Sequence, residues 1–174
     1  MDSASDSALA LREEYGHLLR DDPAWANRAT AFSAKVKDLV EWLQRFPIGN
    51  RPPSIGNHPR VTCHDACHLA HAQRITKPPR ELVRAVAGEG FVELPESDVC
   101  CGSAGSYNLT EPQMAERLQR RKTENILKSG AHTVVTTNPG CLLQIRAGLR
   151  KAGAHDVEAL HIAEYLDRSL TADR

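Results

Sequence analysis

Beyond residue 60 the chain alternates short apolar segments with segments of helical character, and this alternation constrains the fold most strongly. Strands are predicted at 60–63, 90–94, 133–137 and 156–160, and helices at 79–87, 111–129, 141–152 and 163–170. Strand–helix repetition favours a mostly parallel sheet with helices packed on its faces. We therefore expect an α/β, Rossmann-like three-layer domain with a mostly parallel four-stranded sheet over residues 60–174.

The residues before this domain are predicted to form a helical N-terminal appendage, 1–46. Two helices are expected there, at 9–19 and 23–46, and the second carries an apolar stripe at helical spacing that includes Phe32, Val40 and Leu43. Residues 1–8 are small and polar, and we expect them to be disordered. The proline- and glycine-rich stretch 47–59 is expected to be a linker.

Charge and hydropathy exclude several classes of function. The chain has 22 basic and 22 acidic residues, so it lacks the basic excess typical of proteins that bind nucleic acid. It also has no apolar run near the roughly 20 residues of a membrane-spanning helix, and its first residues do not resemble a signal peptide. We expect a cytoplasmic protein with no nucleic-acid partner and no membrane span.

The cysteines are the unusual feature of this composition. There are five, an odd number, and Cys100 and Cys101 are adjacent, which argues against a disulfide framework. Cys63 and Cys67 lie at and just after the first predicted strand, the adjacent pair follows the second, and Cys141 follows the third. Because the carboxyl ends of parallel strands meet at one edge of a sheet, the sequence predicts that these thiols converge there.

Converging thiols favour a soft metal centre. Thiolates are ligands for zinc, copper(I) and iron–sulfur clusters. The side chains of adjacent cysteines diverge, so they are better placed to reach two irons of a cluster than one tetrahedral ion. Gly102 lies in a glycine-rich turn whose N–H groups are candidate donors to bound sulfur. The alternative is that the five cysteines are small buried hydrophobic residues.

Several polar residues near the cysteines are further candidates. His64, His68 and His71 fall at spacings of three and four, and His68 ranks first because it adjoins a cysteine. Each is a candidate donor to cluster sulfurs or a fourth ligand in a zinc site. Gln144 follows Cys141 by three residues and could hydrogen-bond a thiolate. Lys122 lies on the apolar face of its helix. Its ammonium group either points towards an anionic centre or reaches solvent at the end of a buried stem.

Four segments carry a resemblance to a known family. They are HDACHLAHAQ (64–73), CCGSAGSYNL (100–109), ERLQRRKTENI (116–126) and NPGCLLQI (138–145). Together they resemble the cysteine-rich CCG domain, and the chain is similar over about 13–170 to the C-terminal part of glycolate oxidase iron–sulfur subunits. The resemblance implies an electron-transfer subunit that works with flavoprotein (FAD) subunits and passes electrons from 2-hydroxy acid oxidation to the respiratory chain. Delivery of electrons to the respiratory chain is compatible with peripheral attachment at the inner membrane.

The resemblance implies a ligand set for a [4Fe-4S]-type cluster: Cys67, Cys100, Cys101 and Cys141. The family's fullest pattern ends in Cys-x-x-Cys, whereas Gln144 occupies the last position here. Cys63 is an extra thiol that could substitute for the missing ligand or point away. The family's ferredoxin-like region is not in this sequence, so we expect the chain to correspond to the second half of such a subunit. The alternatives are a zinc-binding structural or assembly module and a metal-free docking surface.

Overall fold

The computed structural model describes residues 4–46 and 59–171, so the predicted linker falls almost entirely outside the described residues. Its strands are β1 (Val61–His64), β2 (Thr133–Thr136) and β3 (Glu158–His161). Its α-helices are α1 (Ala4–Leu9), α2 (Tyr15–Leu18), α3 (Ala26–Ser33), α4 (Leu39–Leu43), α5 (Lys77–Ala87), α6 (Tyr107–Thr110), α7 (Pro112–Ser129), α8 (Pro139–Lys151) and α9 (Ile162–Thr171). Short π-helical segments cover Ala10–Glu14 and His68–Ala72, and a 3-10 turn covers Gly88–Gly90.

The sheet is parallel, in the order β1–β2–β3, with Val61 opposite Thr133 and Thr133 opposite Glu158. The prediction of four strands is wrong for the described residues. The segment predicted as a strand at 90–94 forms one bridge, between Phe91 and Val61, and Val92 N donates to Val61 O. Turns at 95–98 follow, so the chain leaves the sheet edge before a ladder can extend.

Helices cover both faces of the sheet, which gives the three layers expected from the sequence. Because side chains alternate along a strand, neighbouring residues enter different cores. Cys63 and Val135 pack with α5 and α9, whereas Val134 and Ala159 pack with α7 and α8. At the end of β1, Cys63 therefore points to the core with α5 and α9, and His64 points to the opposite face, which carries α7 and α8.

The N-terminal helices pack against this domain. The helix predicted at 23–46 is interrupted between α3 and α4, because Asp38 is extended and begins a new helix. Its carboxylate accepts from Val40 N, and Glu41 accepts in turn from Asp38 N at 3.0 Å. Val40 is fully buried in the core with α5 and α9, whereas Phe32 is 47% exposed, so the predicted stripe faces the core only in part.

Two further observations complete the fold. Residues 4–8, expected to be disordered, lie within α1, while residues 1–3 fall outside the described part. Within residues 4–46 and 59–171, no helix is long and apolar enough to cross a membrane.

Candidate metal centre

Four of the five cysteines meet in one cleft at the carboxyl edge of the sheet. Cys67, Cys100, Cys101 and Cys141 line it, together with His68 and residues of the turn after the adjacent pair. Cys67 precedes the π-helical segment after β1, and Cys141 lies in the first turn of α8. The structure therefore brings together the four cysteines that the resemblance proposed as ligands. All five cysteines of the chain are free thiols.

The sulfur side chains form a continuous run. Cys67 interacts with Cys100, Cys100 with Cys101, and Cys101 with Cys141. The thiols of Cys101 and Cys67 donate to Cys100 and lower its pKa, and Gly102 N also donates to it at 3.3 Å. Cys101 likewise lowers the pKa of Cys141. Cys100 and Cys141 therefore favour the thiolate form, and they alternate along the run with the thiol donors Cys67 and Cys101.

The start of α8 supports Cys141 directly. The side chain of Asn138 caps the helix by accepting from Gly140 N at 2.8 Å and from Cys141 N at 3.1 Å. This bond holds Cys141 in the first turn, where the positive end of the helix dipole favours a thiolate. Cys141 is 5% exposed, so water has little access to this sulfur.

The loop that carries the adjacent cysteines is held by its carbonyl groups. Ser97 O accepts from Asp65 N at 3.1 Å, from His64 Nδ1 at 3.0 Å and from Lys122 Nζ at 3.3 Å. Lys122 also donates to Glu96 O, and its side chain is only 2% exposed. Of the two alternatives left open by the sequence, extension of the Lys122 charge to solvent is therefore wrong, and the ammonium group binds the cysteine loop through two backbone carbonyls.

Side chains add a second set of contacts to this loop. Nη1 of Arg80 donates to both carboxylate oxygens of Asp65, at 3.0 and 2.9 Å. The hydroxyl of Ser97 accepts from Nη2 of Arg80 and donates to Asp65. Glu96 has a φ of 53°, a strained value for a residue with a side chain, and Arg121 and Asn125 hold its carboxylate. The sequence reasoning missed the Asp65–Arg80–Ser97 network, because its members are 15 to 32 residues apart.

Gly102, which follows the adjacent cysteines, has a conformation that a side chain would disturb. Its φ is 90°, and a Cβ atom at this position would lie less than 3.0 Å from Ala115 O in α7. The glycine thus lets the loop approach the backbone of α7 while its amide donates to Cys100. The contact observed is to the sulfur of Cys100, and donation by Gly102 to bound sulfur stays a prediction.

Comparison with known proteins matches this arrangement to a family. The model of the cysteine-rich CCG domain matches residues 61–146, which include all five cysteines. Lactate utilization protein A of Bacillus subtilis is 31% identical over 165 residues, which cover 95% of this chain and 68% of that protein. The chain belongs to the cysteine-rich CCG domain family.

Longer relatives contain the same CCG domain. The probable glycolate oxidase iron-sulfur subunit of Bacillus subtilis is 37% identical over 158 residues, covering 90% of this chain and 36% of that protein. One of the fumarate reductase (CoM/CoB) subunits of Methanothermobacter marburgensis is 39% identical over 114 residues, covering 66% of this chain and 23% of that protein. The chain therefore spans about a third of the first relative and about a quarter of the second.

The other predicted residues of the CCG domain occupy different places. Cys63 is 1% exposed and packs in the core with α5 and α9, on the face of the sheet opposite the cleft. Burial raises its pKa to about 12, and the structure does not bring it to the other cysteines. Gln144 is half-buried one turn after Cys141 and does not line the cleft, and its backbone carbonyl accepts from Gln119.

The three histidines also separate. His68 lines the cleft. The hydrogen bond to Cys100 and burial raise the pKa of Cys67, and the backbone N–H of His68 opposes this rise only in part. His71 is exposed, and its Nε2 donates to Asp98 O at 3.2 Å. His64, ranked below His68 from the sequence, is 1% exposed, and its ring nitrogen lies within 4.8 Å of the Cys101 and Cys141 sulfurs. The sequence does contain a signal for this position. Side chains alternate along β1, so His64 points to the face opposite Val61 and Cys63.

Proposed function

We propose that this CCG domain is part of an iron–sulfur electron-transfer subunit, with the cluster held by Cys67, Cys100, Cys101 and Cys141. The observation that carries the proposal is the run of four interacting thiols at the carboxyl edge of the sheet. Cysteine thiolates are the usual ligands of iron–sulfur clusters. When bound, a [4Fe-4S]-type cluster would supply reversible one-electron transfer.

The donor set fits such a centre in three respects. Four sulfur atoms from three segments share one cleft, and two of them have lowered pKa values. Gly102 N already donates to sulfur, which is the kind of contact that tunes cluster potentials. The buried Nζ of Lys122 adds a positive charge close enough to Cys101 for the two groups to interact electrostatically. These features favour a negatively charged sulfur-rich centre.

The cleft also has a side from which an electron can enter. Cys67 and Cys100 are half-buried, whereas Cys101 and Cys141 are buried. The first pair therefore lies nearer to solvent and to any docked partner, while the second pair faces the core shared by β2, α7 and α8. Residues around Cys67 and Cys100 would transmit electrons between the centre and a partner.

We further propose that the partners are flavoprotein (FAD) subunits that oxidise a 2-hydroxy acid, and that the complex delivers electrons to the respiratory chain. Support comes from two relatives whose names refer to glycolate oxidase and to lactate utilization, both of which concern 2-hydroxy acids. In this assignment substrate oxidation belongs to the partner, and we place the complex in the cytoplasm, free or at the membrane surface.

The experiment that tests the proposal is anaerobic purification followed by assays of iron, acid-labile sulfide and zinc. We expect stoichiometric iron and sulfide with a visible charge-transfer band, and loss of both in Cys101→Ser. Cys63→Ala is the matched control, because it removes a buried cysteine on the opposite face of the sheet and should leave the iron content unchanged. Absence of iron and sulfide after attempted reconstitution would contradict the proposal.

A zinc-binding structural or assembly module is the second candidate. It is favoured by one observation: the ligand atoms of His64, Cys101 and Cys141 lie within 4.8 Å of one another. Three such ligands and a fourth thiol would satisfy the tetrahedral preference of zinc. Stoichiometric zinc without a charge-transfer band would identify this function, and the same metal assays distinguish the two.

A further inference from the structure

His64 presents one ring nitrogen to the protein and the other to the cysteines. It is the last residue of β1, is 1% exposed, and lies on the face of the sheet that carries α7 and α8. Its Nδ1 is 3.0 Å from Ser97 O, and because a carbonyl only accepts, Nδ1 carries a proton. In the neutral ring, Nε2 then has a free lone pair.

The second nitrogen, Nε2, is buried and has no nitrogen or oxygen partner among residues 4–46 and 59–171. Its polar neighbours are thiols, and the His64 ring joins Cys101 in lowering the pKa of Cys141. One ring nitrogen of His64 and the sulfurs of Cys101 and Cys141 all lie within 4.8 Å of one another. Because Nδ1 is bonded to Ser97 O, we assign this nitrogen as Nε2. Buried polar atoms are normally satisfied, and one that is not requires an explanation. The two neighbouring thiols provide one, because a histidine nitrogen and cysteine thiolates are metal ligands of the same kind of site.

We propose that Nε2 of His64 is a ligand of the metal centre, beside the cysteines. The inference rests on the proposed metal-binding function of this site. Metal-binding histidines usually donate their other N–H to a backbone carbonyl or a carboxylate, which orients the ring. The bond from Nδ1 to Ser97 O is this kind of contact, and Ser97 is itself fixed by Asp65 and Lys122.

The neighbouring side chains agree with this role. The first turns of α8 contribute one sulfur to the cleft, that of Cys141. His64, like Gln144, lies outside the cleft lining, but its ring nitrogen is within 4.8 Å of the sulfurs of Cys101 and Cys141. His71 is exposed and uses its Nε2 on Asp98 O. A histidine ligand is neutral where a cysteine ligand is negative, so the centre would gain an electron more easily than an all-cysteine centre.

The direct test is pulsed EPR of the reduced, reconstituted protein labelled with ¹⁵N-histidine. We expect a nitrogen hyperfine coupling in the wild-type chain and in His71→Ala, and none in His64→Asn. Asparagine places an amide N–H near the position of Nδ1, so the bond to Ser97 can survive while Nε2 is removed. The reduction potential of His64→Cys should be more negative than that of the wild type. A wild-type protein with full iron and sulfide but no nitrogen coupling would overturn the inference.

A second probe separates this inference from the proposed cluster. Co²⁺ titration of the apoprotein should show affinity lower by at least about tenfold in His64→Asn than in the wild type or His71→Ala. If the protein holds zinc instead of iron and sulfide, the cluster proposal fails but this loss of affinity would still support His64 as a ligand. Equal Co²⁺ affinity in all three, or no binding in any, would overturn it. Circular dichroism of each variant identifies those that fail to fold.

Discussion

Replacing Gly102 with alanine should destabilise the protein through two separable effects. The first is conformational, because Gly102 has a φ of 90°, outside the region that residues with a Cβ atom adopt easily. The second is steric. The new Cβ would lie less than 3.0 Å from Ala115 O and 3.1 Å from Ala115 C, and both atoms belong to the backbone of α7. A helix backbone cannot move aside as a flexible side chain would.

The size of the loss follows from these two effects. A residue other than glycine held at such a φ costs about 1–2 kcal/mol. Overpacking against a fixed neighbour adds about 1–3 kcal/mol. The sum is about 2–5 kcal/mol, and a loss near the middle of that range lowers the melting temperature of a chain of this size by roughly 7–14 °C.

Gly153→Ala supplies the control, because Gly153 has a φ of 69° but a Cβ there would meet no atom within 4 Å. It therefore carries the conformational cost without the clash. Melting of both variants should be followed by circular dichroism, together with their iron content. Gly102→Ala should melt several degrees below Gly153→Ala. It should also lose iron, because relief of the clash with Ala115 moves the loop and with it the N–H that bonds Cys100. Melting temperatures within about 2 °C of each other would refute the close approach to α7 as the reason for this glycine.

Two further substitutions test the electrostatics. Lys122→Met should lower the free energy of unfolding by about 1–3 kcal/mol in urea titrations, because Glu96 O and Ser97 O lose a buried donor. Lys128→Met is the control, because Lys128 is exposed on the same helix. Equal losses in the two variants would contradict this role of Lys122. Asp38→Asn should raise the melting temperature at pH 7, because burial raises the pKa of Asp38 and its charge opposes folding, while asparagine can still cap α4. The gain should vanish below pH 3.8, where the carboxyl is neutral in both folded and unfolded chains; a gain that persists there would exclude this cause.

The elements that the sequence predicted well are those with local signals. The predicted helix 111–129 and strand 133–137 agree within one residue with α7 and β2, since Pro112 and Gly130 mark the helix ends in any tertiary context. The predicted strand at 90–94 depends on a partner, and Phe91 finds one only at Val61 before the chain turns away. The interruption before α4 depends on Asp38, whose capping bond with Val40 competes with a continuous helix.

The candidate centre was predictable to the level of the sheet edge but not to the face of the sheet. Cys67 and Cys141 follow strands, so the rule for parallel sheets predicts that they meet. Cys63 and His64 are adjacent in β1, and a shift of one residue exchanges the two faces. His68 ranked above His64 because it adjoins Cys67 in sequence, but the position of the buried ring was decided by the pleat of the strand.

The adjacent cysteines explain why their loop is held so firmly. Cys100 interacts with Cys67 on one side and Cys101 with Cys141 on the other, so the pair connects the two remaining ligand-bearing segments. Cys67 and Cys141 each begin a helical segment, whereas the pair lies in a loop with no regular structure of its own. Contacts to Ser97 and from Gly102 therefore replace the support that a helix would give. Because a metal centre needs all its ligands placed at once, weakening these contacts should reduce metal loading more than an equal loss of stability elsewhere in the fold.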